Sequence, residues 1–458
     1  MGIAGLLARR SVSTWSTYVA KALPVFAFPP FIFARFPAEE AALWFIFITL
    51  QGMQLLIASS TDLPMVRGFA YALGGATQLR GAHPAAQKGP NMALFSRVWA
   101  ASAVAHLVIG IATFALLGAM GIWSAAPLID ESRLWWALAA FVCGGAIRAW
   151  GGLHVSYLMG VDRIALLRWW EAAFAILSFI FALITLLLGG GLLAVALAYQ
   201  APLVANVLWN ASLCRRDQAD RPGFVTRLRA ERGTLAQLWP SIWRTGLGTT
   251  LFIGATQGAG LYYATIGGAR EAAAFLFVMS LIRPLGQFAQ VPFMTKLPQL
   301  ARLQAEGRRD AQRRIAERSM RISYALHAAM VIAVAVALPI ASTDVPLLLW
   351  LLIGLAGYVE RMGSMHLQLY ATTNHVLMHW ANGLAALLYI GLAALMLPRL
   401  GVYAFALAQI LALAIAYVPI GMRHSYRAFG LSFPAFEIKT AMPPLLVLLT
   451  ILVLAGAL

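Results

Sequence analysis

The chain has 458 residues, 61% of them apolar and only 11% charged, against about 25% charged in soluble domains. That excludes a water-soluble fold. The net charge of +17 raises the question of nucleic acid, because basic proteins bind phosphate backbones by releasing counterions. The placement of the charge argues against that partner. Cys143 and Cys214 are the only cysteines and form no disulfide framework.

In chain order, apolar stretches recur that are long enough to cross the ~30 Å hydrocarbon layer as helices, since lipid cannot satisfy open backbone groups. The predicted spans are 11–34, 41–61, 94–119, 134–158, 164–187, 190–212, 239–265, 272–294, 320–341, 345–370, 376–397, 401–421 and 441–457. Arg9 and Arg10 ahead of the first span imitate an export signal, but 11–18 is too polar and Lys21 interrupts the apolar run beyond it. The stretch reads as an uncleaved first helix.

The basic residues alternate between loops. One set of segments holds Arg9, Arg10, Arg67, Arg80, Lys88, Arg97, Arg163, Arg168, six arginines from Arg215 to Arg232, eight basic residues from Lys296 to Arg321, and Arg423, Arg427 and Lys439. The opposite set holds only Arg35, Arg133, Arg270 and Arg399. By the positive-inside rule the first set, with the N-terminus, is cytoplasmic. The segment 295–319 has heptad-spaced apolar positions among arginines, which fits either an amphipathic helix on anionic lipid or a solvated basic loop.

The chain resembles itself at about half its length. Ser13, Trp15 and Thr17 match Ser241, Trp243 and Thr245; Glu40-Ala41-Ala42 matches Glu271-Ala272-Ala273; Arg148 and Tyr157 match Arg361 and Tyr370. Two halves of six spans share one orientation, which predicts a pseudo-twofold axis along the membrane normal. The expected fold is therefore all-α: a polytopic membrane protein of 12–13 transmembrane helices, in two six-helix lobes around a central cleft. The expected divisions are an N-terminal lobe (1–213), a cytoplasmic linker (214–238), a C-terminal lobe (239–421) and a basic segment with an extra helix (422–458).

Lys21, Arg148, Arg283 and Arg361 fall near mid-depth, two in each half. Ionised groups there face a bundle interior or a wet cavity. Arg244, close to the start of its span, can snorkel to the surface. Gln287 and Gln290 share a polar stripe with Ser280 and Arg283, and Gln51 and Gln54 share one with Thr61, next to Asp62. The alternative is internal pairing of the cations with Glu171, Glu360 and Asp62. Four cations against three acids leave a surplus, which points to a cavity for an anion. Pro24, Pro29 and Pro30 in the first span, and Gly246, Gly248, Gly254, Gly258 and Gly260 in the seventh, predict interrupted helices at matching places, a pointer to a transport site. His106, His154, His327 and His366 are either proton relays or hydrogen-bonded packing.

The run 290–308 leaving the eighth span, Asp62-Leu-Pro-Met-Val-Arg67 and Gly160-Val-Asp-Arg163 resemble the same junctions in bacterial O-antigen flippases of the multidrug, oligosaccharidyl-lipid and polysaccharide exporter superfamily. The resemblance covers spans one to twelve. It implies a cleft lined by spans one, two, seven and eight, and transport of undecaprenyl-pyrophosphate-linked oligosaccharide across the bacterial inner membrane. Lys21 and Arg283, with Arg148 and Arg361 nearby, would attract pyrophosphate or acidic sugars, and glycan polymerisation or export machinery would be the partner.

Drug exporters of the same superfamily and lipid II flippases are the competing transport readings. A membrane glycosyltransferase, polymerase or ligase is the enzymatic one. No Walker motif, metal-ligand spacing or nucleophile–base arrangement stands in the sequence, so no catalytic residue, metal or cofactor is expected. If transport is driven, an ion gradient is the candidate source, with Asp62, Glu171 or Glu360 as carriers.

Overall fold

The computed structural model describes residues 10–79, 87–226, 231–297, 299–300, 303, 308–340, 345–373 and 377–457. Of the basic residues used to orient the chain, Arg9, Arg80, Arg227, Arg229 and Arg302 and the side chain of Arg10 lie outside the described residues, as does the side chain of the in-span Arg244. Among the described residues the elements are helical. By contacts the chain divides into two compact units, Met1–Thr250 and Leu251–Leu458.

The first unit contains α1 (Arg10–Ala27), α2 (Pro29–Arg35), α3 (Ala38–Leu73), α4 (Met92–Ala125), α5 (Ser132–Gly160), α6 (Ile164–Leu187), α7 (Leu192–Ala219) and the start of α8 (Arg232–Ile266). In it α3, α4 and α5 pack mutually, α7 packs on α5 and α6, and α1 lies on α6. The second unit continues α8 and adds α9 (Ala269–Met294), α10 (Arg309–Ile340), α11 (Leu347–Ala371) and α12 (Met378–Leu400). It ends with α13 (Tyr403–Ala412), a π-helical turn over Leu413–Tyr417, α14 (Val418–Phe429), the short α15 (Phe433–Phe436) and α16 (Met442–Ala457). Here α9 packs on α10 and α11, α11 packs on α14, and α16 rests on α10 and α11.

Nine helical stretches among the described residues are long and apolar enough to cross a membrane: α4 to α7, α9 to α12, and α13 through α14. The chain is a multi-pass membrane protein. Its exposed apolar side chains fit lipid contact, as along α4, where Leu107, Val108, Ile111 and Phe114 are all exposed. Buried faces hold aromatic residues instead. Phe69, Phe95 and Tyr157 are fully buried together near the ends of α3, α4 and α5. Gly160 permits this approach, because a Cβ there would lie 2.5 Å from the Phe69 Cβ.

Several boundaries differ from the sequence expectation for identifiable reasons. Asp62 and Pro64 lie inside α3, which runs on to Leu73 rather than ending at 61. The first span breaks at Phe28, before Pro29 and Pro30, whereas Pro24 is accommodated within α1. By contrast, α8 is continuous through all five of its expected glycine interruptions. Glycine keeps its N–H and costs a helix only about 1 kcal/mol, while proline removes a hydrogen bond and clashes with the preceding turn.

The basic segment is also resolved differently. From Arg309 it forms the first turns of α10, with Gln312, Ala316, Ser319 and Met320 buried and Arg314, Arg318 and Arg321 exposed. Its inner face therefore packs on the protein rather than on lipid. The last helix, α16, has 16 residues. At 1.5 Å per residue it is about 24 Å long, short of the ~30 Å hydrocarbon layer.

Replacing Gly160 with valine forces α3 and α5 apart against Phe69. We expect a cost of about 1–3 kcal/mol, read as a lower thermal midpoint of the detergent-purified chain, with no loss for Gly391→Ala on an exposed face of α12, where a Cβ meets nothing.

Candidate functional site

The four mid-span cations occupy three separate settings. In the first unit, α1 meets α6 where Lys21 Nζ donates to Glu171 Oε2 at 2.8 Å. Arg168, one turn earlier on α6, donates to the same oxygen at 2.8 Å. Thr17 Oγ1 donates to the Arg168 carbonyl at 2.7 Å, fixing α1 against α6 at this level. Glu171 is buried, while half of the Lys21 side chain is exposed. Two cations share one carboxylate, so the group keeps a net positive charge.

Arg148 lies near the middle of α5. Its Nη1 donates to Gln51 Oε1 of α3 at 3.3 Å and to Gln200 Oε1 of α7 at 3.0 Å. Gln51 is oriented by donating its Nε2 to Tyr199 Oη at 3.2 Å, and Tyr199 stacks on Phe141. Gly144 makes the room, since a Cβ there would lie 2.6 Å from Gln200 Oε1. Among the described residues, the Nε and Nη2 of Arg148 are buried without a hydrogen-bond partner. A guanidinium has five donors in a fixed fork. Among the described residues only amide oxygens meet it, and no carboxylate does.

In the second unit, Arg361 of α11 donates Nη2 to Glu360 Oε1 at 2.8 Å and Nη1 to Gln290 Oε1 of α9. Gly286 of α9 lies against that guanidinium, with a Cβ position 3.7 Å from Arg361 Nε, an ordinary contact distance. Arg283 interacts electrostatically with Glu360. Arg283 and Arg361 thus draw on one carboxylate, and this group too keeps a net positive charge.

The structure joins Gln51 to Arg148 and Gln290 to Arg361, pairings between helices that the polar stripes along single helices do not specify. It pairs Glu171 and Glu360 with cations, as the alternative reading has it. Gln287 is exposed, and Gln54 is buried beside Gly145 with its Oε1 unpartnered among the described residues. Asp62 joins none of the four cations; it faces His106 and Ser156. Sequence reasoning passes over Arg168, Tyr199 and Gln200. The signal for the last two is present, as a polar pair inside an apolar span just ahead of Pro202. Of the other histidines, His327 bonds the Gly354 carbonyl, and His366 lies between Ser425 and Glu437. Among the described residues no cluster of His, Cys, Asp and Glu is arranged to hold a metal ion.

No family model matches the chain, and no curated protein matches it in sequence. Solved structures do match in fold. An inward-facing multidrug resistance MATE family transporter of the MOP superfamily superposes with a TM-score of 0.67 at 12% identity, over 92% of this chain and 99% of its own. The lipid II flippase MurJ, in an inward closed conformation, gives 0.68 at 10% identity, over 98% and 96%. The chain has the fold of the MOP superfamily transporters. A third match, at TM-score 0.54 and 12% identity over 92% and 95%, is a superfamily transporter from Pyrococcus furiosus whose reversed binding-pocket polarity is held to suggest a different function.

The shared carboxylate makes an asymmetric prediction. Glu171→Gln leaves Lys21 and Arg168 uncompensated together, whereas Lys21→Met leaves Glu171 paired with Arg168. We expect the first to cost about 1–3 kcal/mol and the second much less, measured as thermal midpoints in detergent. Equal midpoints would show that Arg168 does not hold Glu171.

Proposed function

We propose that this chain is a non-enzymatic flippase. It carries an anionic lipid-linked oligosaccharide, of the undecaprenyl-pyrophosphate type, from the inner to the outer leaflet of a bacterial inner membrane, with its N-terminus in the cytoplasm. The observation that carries this reading is the uncancelled positive charge at mid-span in both units. Among the described residues Arg148 meets only amides, and Arg361 closes on Glu360, whose charge also acts on Arg283. Holding such cations inside a bilayer is expensive, and an anionic headgroup offsets that cost on binding. Gln51, Gln54, Gln287 and Gln290 supply amides suited to sugar hydroxyls or phosphate oxygens, and Lys21, with its exposed end, offers a first contact.

The comparisons support transport through the shared fold. Matches of this fold include transporters named in inward-facing and inward-closed states, which agrees with alternating access by two repeat-related bundles. One of them is a flippase of lipid II, itself a lipid-linked cargo by its name. A drug exporter remains the main competitor. The reversed pocket polarity reported for one superfamily transporter ties charge to function, and net positive mid-span groups favour an anionic cargo over a cationic drug. Glycan polymerisation or export machinery is the natural downstream partner.

The deciding experiment is deletion of the gene followed by lipid analysis. The flippase reading expects undecaprenyl-linked oligosaccharide to accumulate on the cytoplasmic leaflet; a drug exporter's loss leaves these lipids unchanged. Complementation with Arg148→Ala or Arg283→Ala should restore protein abundance but less than roughly a tenth of surface glycan, the loss that about 1.4 kcal/mol of missing binding energy produces. Full export in both variants would sink the cationic-site argument.

A further inference from the structure

Where α6 packs on α7, the first unit buries polar groups that its cation sites do not use. Trp209 Nε1, Asn206 Oδ1 and Asn210 Oδ1 of α7 are buried and have no hydrogen-bond partner among the described residues. Unmade hydrogen bonds in a bundle interior cost stability and are rare in native folds. Their spacing gathers them, since residues three and four apart are neighbours on a helix surface. The two asparagines also face inward. Leu197, Ala201 and Leu208 form the exposed side of α7, and at 3.6 residues per turn Asn206 and Asn210 fall on the opposite side, in line with buried Tyr199.

Aromatic rings complete the setting. The Trp170 ring of α6 lies 4.5 Å from that of Trp209, tilted by 53°, and Phe174, one turn further along α6, lies 6.1 Å from Trp170. Both tryptophans are only partly buried, so each keeps some open ring surface. Trp170 immediately precedes Glu171, the carboxylate shared by Lys21 and Arg168. The indole pair and that cationic group therefore lie at one depth.

The unmet atoms define the ligand. Two amide oxygens need donors, and the indole N–H needs an acceptor. An anion has no hydrogen to donate and a cation has no lone pair to accept with, whereas every hydroxyl does both. Turning an amide over exchanges its oxygen for N–H groups, which a hydroxyl also serves. The rings add an apolar demand. The flat C–H face of a pyranose carries slight positive charge and is attracted to the negative face of an indole. We propose that Trp170, Asn206, Trp209 and Asn210 form a pyranose-binding subsite in the first unit, uncharged itself and level with the Lys21–Glu171–Arg168 group. The subsite rests on the flippase reading above: a sugar seated here brings the pyrophosphate bonded to it to the depth of that net positive group.

The test is binding to the full-length chain in detergent, followed by microscale thermophoresis. Undecaprenyl pyrophosphate is compared with the same lipid carrying one N-acetylglucosamine, glucose or galactose residue. The wild-type chain should bind at least one sugar-bearing lipid about tenfold more tightly than the bare lipid, the ratio that about 1.4 kcal/mol produces. Trp209→Phe keeps a ring and loses the N–H; Asn206→Leu and Asn210→Leu fill the same space without hydrogen-bonding. Each variant that keeps a wild-type thermal midpoint should lose the gain from the sugar. Equal wild-type affinity for the bare and the sugar-bearing lipids, the result expected if ordered water alone serves these atoms, would overturn the subsite and leave the flippase reading standing. An undiminished gain in the folded variants would do the same. Failure of the wild-type chain to bind any of these lipids would overturn both.

Discussion

Moving an ionised side chain to the centre of a bilayer costs about 2.5–3.5 kcal/mol even on the mildest scales, so the placement of each charge within the spans needs a partner or a use. This chain answers in three ways. Lys21 and Arg168 close on Glu171. Arg361 closes on Glu360 within reach of the charge of Arg283. Arg148 is held, among the described residues, by amides alone. Amide oxygens stabilise a guanidinium through their dipoles but leave its charge intact. The carboxylates are too few for the cations, and the remainder is positive in each unit taken separately.

The two units use similar chemistry for their arginines. Glu40 and Glu271 each lie two residues inside the helix that begins at Ala38 or Ala269. Further along the same helices, Gln51 and Gln290 each accept from an arginine on the unit's inward-packed helix, Arg148 or Arg361. In the first unit a glycine makes room for the contact, Gly144 facing Gln200. The two units differ in one respect. Arg361 has an adjacent glutamate, and the corresponding place beside Arg148 is Ile147. The first unit thus keeps the more exposed electrostatic demand, met by a second glutamine from α7.

Much of the architecture is legible in the sequence because lipid imposes a simple rule: runs of apolar residues become helices, and periodic glutamines and arginines mark their inner faces. That logic locates Gln51, Arg148, Gln290 and Arg361 on facing surfaces. It does not say which partners they choose, because pairing depends on helix rotation and approach, set by contacts such as Gly144 against Gln200. Arg168, close to the start of α6, reads from sequence as an orienting loop charge. One turn of helix brings it onto the same carboxylate as Lys21, although Lys21 and Glu171 stand 150 residues apart in sequence. The glycines of α8 mislead for a different reason. Their frequency marks permissiveness, and an uninterrupted hydrogen-bond ladder absorbs it.

The C-terminal segment uses buried charge for anchoring. Glu437, fully buried in the turn before α16, accepts from Tyr426 Oη at 2.9 Å and Thr440 Oγ1 at 3.3 Å, and its Oε1 lies 3.0 Å from His366 Nε2 of α11. Ser425 of α14 lies 2.7 Å from the other ring nitrogen. The same serine hydroxyl donates to the Met422 carbonyl at 3.2 Å, so the imidazole is held from both sides. Tyr358 adds a bond to the Ala441 carbonyl at 2.6 Å. The start of α16 is therefore tied to α11 and α14 by groups that have no water to return to. A helix too short to span the bilayer independently is held in place by polar bonds at its root and apolar contact along its length, and so belongs to the second unit's framework.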